Sequence, residues 1–381
     1  MSTVGIVKCD SYELKQVEEA VFKCLDNIKA LNEKMVPGAR GLIKVNLLKK
    51  NRPEDAVTTH PAVVEAIVRY LQKAGCKVVL GDSPAGPFTR KSLEGIYKAC
   101  GFTEVAERSG CELNYDTSVV EVTNDRAKML KSMQIIKVVE DVDFVISAAK
   151  LKTHGMMTFT GAVKNLFGVI PGLIKAEYHF KMNDEANFAQ HLIDICEYVR
   201  PVFSVIDGIE GMEGNGPSGG DKRHVGLIMA STDPYALDVV ASQIIGIKPE
   251  RVPTVKVAAE NGLGSTTVEN FQIKGVRLSE INVAPFKLPD SVNINFIGGR
   301  IPKPVEKFFV NTLRAKPHFD YNSCISCGHC ERSCPPGIID MKSGKPVPNL
   351  NKCIACFCCH EVCPKKAIEI KRHWLHKVLF R

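Results

Sequence analysis

The sequence predicts an α/β fold, a mainly parallel sheet with helices on both faces, followed by a small cysteine-rich α+β domain. Three observations carry this expectation. Apolar runs of strand length alternate with amphipathic segments of helix length through most of the first 250 residues. Nine of the 15 cysteines are confined to the stretch from Cys324 to Cys363. A proline-containing segment separates the two regions, which divides the chain into an α/β domain (1–285), a connector (286–316), a cysteine-rich domain (317–372) and a basic tail (373–381).

In chain order, GLIKVNLL from Gly41 reads as a buried strand, and PAVVEAIVRYLQKAG as a helix opened by Pro61 and closed by Gly75. KVVLGDSPAG, DFVISAAKLKTHG and FSVIDGIEG each read as a strand running into a loop. In VGLIMASTDPYALDVVASQIIG a strand meets the helix start Thr232-Asp233-Pro234. Strands that alternate with helices in this way pair in parallel, and ligands of such sheets gather beyond the carboxyl ends of the strands. The polar residues expected there are Asn46, Asp82, Ser83, Lys150, Lys152, His154, Asp207 and Asp233, although Asp82 and Asp233 also suit turn or cap positions.

The stretch KLKTHGMMTFTGAVKNLFGVIPGLIKAEYH concentrates Lys150, Lys152, His154, Lys164, Lys175 and His179 among four glycines, with Glu177 its only acid. Apolar residues and glycines interleaved with lysine imply close packing around a guest, and the guest that suits the charge is a small anionic substrate. His154, Lys164 and His179 are the candidate catalytic residues; Asn46, His60, Asp82, Lys152, Asn165 and Asp207 are the candidate ligand-binding residues. A second loop, DGIEGMEGNGPSGG from Asp207 to Gly220, is rich in backbone N–H groups of the kind that form anion nests. Neither segment matches a dinucleotide or P-loop fingerprint.

CISCGHCERSCP and CIACFCCHEVCP share the spacing C-x2-C-x2-C-x3-C-P at an offset of 29 residues, and Ile338–Met341 aligns with Ala367–Ile370. Three thiolates spaced in this way wrap one face of an iron-sulfur cube, and the fourth reaches the other cube. Cys324, Cys327, Cys330 and Cys363 are therefore expected to hold one 4Fe-4S cluster, and Cys353, Cys356, Cys359 and Cys334 a second. Zinc sites use separated C-x2-C pairs and have no need of two equal runs. Cys358 fits no ligand position, and His329 and His360 are interior residues of the motifs. The segment resembles a bacterial-type two-cluster ferredoxin, which implies one-electron transfer to or from a redox partner protein. Cys9, Cys24, Cys76, Cys100, Cys111 and Cys196 show no spacing pattern and read as small buried residues.

AVTTHPAVVEAIV, VVLGDSPAG, KLKTHG, TGAVKNLFGVIPG, DGIEGMEGNGP and STDPYALDVVA together resemble the bacterial and archaeal family known as domain of unknown function 362, often fused to a ferredoxin module. The order His154, Lys164, Pro171-Gly172, His179 is distantly similar to the nickel-pincer lactate racemase family, in which a lysine tethers a pyridinium-type cofactor. That likeness implies an organic cofactor, unidentified here, and GAVKN stands where that family has paired glycines.

A net charge of +8 over 381 residues is not a nucleic-acid signature. No run of 18 apolar residues predicts a membrane span, and the charged N-terminus does not resemble a signal peptide, so a cytoplasmic protein is expected, suited to anaerobic metabolism. The connector is expected to pack, with a helix at Pro304–Leu313, and the tail places Trp374 among cations. Three function classes follow: an iron-sulfur electron-transfer protein, a ferredoxin-fused oxidoreductase acting on a small anion, and a docking or maturation protein without catalysis of its own.

Overall fold

A computed structural model of the chain describes residues 1–181, 184–290 and 315–371, with backbone alone at 179–181. The first region forms strands β1 (Thr3–Lys8), β2 (Arg40–Lys44), β3 (Lys77–Gly81), β4 (Glu112–Leu113), the separate hairpin β5–β6 (Val119–Thr123 and Ser132–Ile136), β7 (Phe144–His154), β8 (Thr158–Thr160), β9 (Phe203–Glu213), β10 (Asp221–Ser231) and β11 (Gln272–Gly275). Nine of them make one sheet in the order β11-β1-β10-β9-β7-β2-β3-β4, with β8 folded back on β7. The block from β4 to β9 is parallel, as the alternation of strand and helix predicts, whereas β10 runs antiparallel between β9 and β1.

Helices cover both faces. Leu14–Asn27, Pro61–Lys73, Arg90–Ala99 and Phe102–Ser109 bury Val21, Ile67, Ile96 and Phe102 on one side. Glu185–Val199, Pro234–Ile244 and Pro253–Glu260 bury Leu192, Val240 and Val255 on the other. Pro61 opens its helix as expected, with His60 as the N-cap whose Nδ1 accepts the Ala62 N–H. Asp233 caps Pro234–Ile244 by accepting the N–H groups of Tyr235 and Ala236, so it serves the helix start.

Two strands are longer than the sequence implied. β7 continues through Lys150, Lys152 and His154, and β9 through Asp207 to Glu213, both expected as loops. Lysine in a fully buried strand is rare because burying an ammonium needs partners. Here those partners come from β9 and from the loop beyond β2, neither adjacent in sequence.

In the cysteine-rich region β12 (Lys316–Phe319) pairs with β15 (Ile368–Lys371), and β13 (Ile339–Lys342) with β14 (Lys345–Pro348). The repeat seen in the sequence is repeated in the backbone. Left-handed φ values occur in pairs 29 residues apart, at Ser326 and Ala355, at Gly328 and Phe357, and at Gly337 and Lys366. The N–H groups of Ser326 and Ala355 each donate to the Sγ of the cysteine two residues before, both at 3.4 Å. Of the connector, Phe286 packs in the core of the first region and the Lys287 N–H donates to Glu213 Oε2. The expected helix at Pro304–Leu313 and the tail with Trp374 lie outside the described residues. Among the described residues no helix is long and apolar enough to cross a membrane.

Candidate functional site between sheet and cysteine module

A cavity of about 790 Å3, its open mouth included, lies where the carboxyl ends of β2, β3 and β7 meet the short helix Cys358–Val362. Its lining draws Lys44, Asn46, Asp82, Lys152, His154, Lys164 and Asn165 from the first region, and Ser333, Cys358, Glu361 and Val362 from the second. Six of the nine body residues singled out from sequence are therefore brought to one place.

The floor is a connected polar chain. Lys44 Nζ stands 2.9 Å from Asp82 Oδ1 and donates to Asn165 Oδ1 at 3.0 Å. Asn46 Nδ2 donates to the same oxygen at 3.3 Å, and Asn46 Oδ1 accepts from Lys152 Nζ at 2.8 Å. Asn165 Nδ2 completes its bonding with the Lys44 carbonyl and Ser147 Oγ. Asp82 also accepts the Leu47 N–H, so it works here as a buried counter-ion to Lys44 and not as a turn residue.

Four lysines line the cavity, Lys44, Lys152, Lys164 and Lys175, against two carboxylates, Asp82 and Glu361. Burial holds the Lys44, Lys152 and Lys164 amines below their usual range and brings Lys175 down to about 7. Asp82 works against that shift at Lys44, whereas at Lys152 the neighbouring Lys164 and Lys150 deepen it. Among the described residues Lys152 and Lys164 have no carboxylate within ion-pair distance; Lys164 Nζ lies 5.7 Å from the centre of the Phe167 ring. An anion in the cavity would offset this excess of buried positive charge.

His154 Nδ1 accepts the N–H groups of Met156 and Met157, both at 3.1 Å. That bonding assigns the ring proton to Nε2. Nε2 lies 3.3 Å from Glu361 Oε1, too poorly aligned for a good hydrogen bond. Burial, with Lys164 nearby, pushes His154 down to about 4, so its neutral form presents an N–H at the cavity wall.

The remaining candidates lie elsewhere. Asp207 and His60 do not line the cavity. Asp207 pairs with Lys150 at 2.9 Å and accepts from Tyr12 at 2.9 Å, and His60 stacks on the Tyr12 ring with centroids 3.5 Å apart. Those contacts satisfy their polar groups and give both residues a structural occupation. The side chain of His179 is outside the described set. Sequence reasoning passed over Lys44, whose signal was a lysine inside the otherwise apolar GLIKVNLL, and Glu361, which gave none as an interior residue of C-x3-C.

The glycine-rich segments also have a different use from the one expected. A Cβ at Gly168 would overlap Asp82 Oδ1 and Lys44 Nζ, and one at Gly161 would overlap Asp238 Oδ1, so these glycines admit the protein's own buried ions. The loop Gly214–Gly220, expected as an anion nest, docks the cysteine module: Asn215 O faces His360 Nε2 at 3.2 Å, and Ser218 Oγ donates to the Glu361 carbonyl at 3.4 Å. Beside it Lys49 Nζ donates to Ser218 Oγ at 3.1 Å and to the Cys363 carbonyl at 2.9 Å.

In the module, Cys324, Cys327, Cys330 and Cys363 surround one void of about 410 Å3. Cys334, Cys353, Cys356 and Cys359 lie close enough to shift one another's charge. Among the described residues no three His, Cys, Asp or Glu side chains converge as a single metal ion requires. Four thiols standing around one void suit a group the size of a cube. Cys358 is buried, its thiol pushed up by the neighbouring Cys356, and it lines the cavity. All six scattered cysteines are buried, as expected.

Comparison with known proteins places these features in context. A family model described as Domain of unknown function (DUF362) matches residues 42–243, and one described as 4Fe-4S dicluster domain matches residues 316–364. A thylakoid-associated protein of Synechocystis sp. (strain ATCC 27184 / PCC 6803 / Kazusa) is 34% identical over 296 residues, covering 76% of this chain and 88% of that one. Among solved structures, the lactate racemase apoprotein from Thermoanaerobacterium thermosaccharolyticum aligns with a TM-score of 0.41 at 12% identity, over 64% of this chain and 57% of that chain. That likeness is too loose to carry a ligand or a reaction.

Proposed function

We propose, for a chain that belongs to the DUF362 family and carries a 4Fe-4S dicluster domain behind it, that single electrons pass between two 4Fe-4S clusters and a small anionic substrate held in the cavity. The observation that carries this reading is that Lys152, His154 and Lys164 of the sheet and Cys358 and Glu361 of the cluster module line the same cavity. The proposed ligand sets are Cys324, Cys327, Cys330 and Cys363 for one cluster, and Cys334, Cys353, Cys356 and Cys359 for the other. Bound there, the clusters supply reversible one-electron transfer.

The chain's own residues do the rest. Lys152 and Lys164 hold the anion, and the His154 Nε2–H donates a hydrogen bond to it. Leu48, Phe167, Leu173 and Val362 wall the cavity with apolar surface, which strengthens those contacts by excluding water. A protein that only docks partners has no use for four lysines in one cavity. The site of action is placed in the cytoplasm; because the Synechocystis relative is thylakoid-associated, the membrane fraction is the place to look for a peripheral pool.

The test is anaerobic purification, followed by metal analysis and mass spectrometry of the small molecules released on denaturation. Wild type is expected to carry about eight iron and eight sulfide per chain, with an organic or inorganic anion. Lys164→Ala and His154→Ala are expected to keep the iron and lose the anion, each with a roughly tenfold to hundredfold loss of affinity. Retention of the anion by both variants, or wild type that carries none, defeats the substrate reading.

A further inference from the structure

The two halves of the cluster module share a backbone but not an environment. In the second run Ala355 and Cys358 are 8% and 7% exposed: Ala355 packs with Ala315, Phe357 and Ile370, Cys358 walls the cavity, and His360 beside it meets loop Gly214–Gly220. The matched positions of the first run, Ser326 and His329, are exposed and half-buried, and Ile325 is 55% exposed where its counterpart Ile354 is half-buried. One half therefore faces the sheet and the other faces outward.

The outward half has an apolar centre and a cationic collar. Tyr321, 46% exposed, and Ile325 flank Cys324. Lys345 Nζ donates to the carbonyls of Tyr321 at 2.8 Å and Cys324 at 3.0 Å, and Arg332 Nη2 donates to that of Cys327 at 2.9 Å. Exposed Lys365 lines the void inside the four thiols. The neighbouring carboxylates are engaged locally, Asp320 with Asn322 and Ser323, and Glu331 with the Met341 N–H. Positive charge thus surrounds the exposed apolar side chains Tyr321 and Ile325 beside Cys324.

We propose that this face is the docking surface for a small acidic one-electron carrier protein, which exchanges electrons with the outer cluster while the inner one serves the cavity. A partner with carboxylates around its own redox centre meets the collar by charge and the patch by burial. The proposal rests on the cluster assignment but not on the cavity ligand, so loss of the anion-binding reading would leave it standing.

The probe is a purified acidic flavodoxin in its hydroquinone form, mixed with oxidised holoprotein in a stopped-flow instrument. Each encounter passes one electron: the flavin hydroquinone anion becomes the neutral semiquinone and one cluster is reduced. The second-order rate is expected to fall as salt is raised, and Ile325→Asp and Lys365→Glu are each expected to lower it about tenfold. Reduction by photogenerated deazaflavin radical, which needs no docking, should be unchanged, as should the flavodoxin rate of Met129→Asp, an exposed apolar residue on the β5–β6 connection. Wild-type rates in both face variants overturn the proposal. So does a fall that tracks lost iron, or one in which Ile325→Asp dissociates a dimer of the chain, which would assign the patch to a second copy.

Discussion

His60 shows how a single side chain can set a pH limit. Its Nδ1 accepts a backbone N–H and its ring stacks on Tyr12, and burial lowers it to about 4 from an ordinary 6.5. Between those values the unfolded chain binds the proton and the folded one does not, so the histidine's contribution is intact above about pH 6.5 and is lost as pH falls toward 4. His60→Asn, which keeps a capping acceptor, is expected to flatten the fall in melting temperature across that window. Gly168 is limited by space instead. Gly168→Ala forces its methyl group into the Lys44–Asp82 pair, and a destabilisation of about 1–3 kcal/mol is expected in denaturant unfolding. Cys358 tests the ligand assignment: Cys358→Ala should keep all the iron, while removing the thiol from beside Cys356 shifts one cluster potential to more negative values in a potentiometric titration. Loss of half the iron would make Cys358 a ligand.

At the scale of elements, the loop Gly214–Gly220 and the helix Cys358–Val362 form a joint. A side chain at Gly219 would overlap the His360 ring, so the loop approaches the helix as closely as it does only because glycine is there. Gly219→Val is expected to leave the sheet and the clusters in place but to speed amide hydrogen exchange in residues 358–362, with protection in β7 and β9 unchanged. Equal loss of protection in those strands would show that the joint supports the sheet itself. Lys49 belongs to the same joint. It brings a buried ammonium from beyond β2 to the carbonyl of Cys363, and burial lowers its amine to about 8. Lys49→Met should make the potential of one cluster more negative, because the cation favours the reduced, more negatively charged state; Lys49→Arg should restore it.

For the molecule as a whole, the division between sequence and tertiary structure follows from the range of the forces involved. The α/β class, the helix Pro61–Lys73 and the two cysteine runs were legible because they rest on local periodicity and fixed spacing. The repetition of the run at a constant offset reappears in the paired left-handed backbone positions of the module. Lys150, Lys152 and His154 were read as loop residues because polar side chains end an apolar run in sequence, and only partners from other strands allow β7 to carry them inside. The glycines of GAVKNLFG were legible as places of close approach, but not for the internal ion pair that meets Gly168; those of GNGPSGG read as an anion nest, whereas Gly219 meets the cluster module. By itself the sequence determined the order of strands and helices, the two cysteine runs and the surplus of cations in one segment. Only the tertiary structure decided that those cations face Cys358 and Glu361 across one cavity, since bringing residues 164 and 361 to the same lining depends on how two separately patterned regions pack, and no local pattern records it.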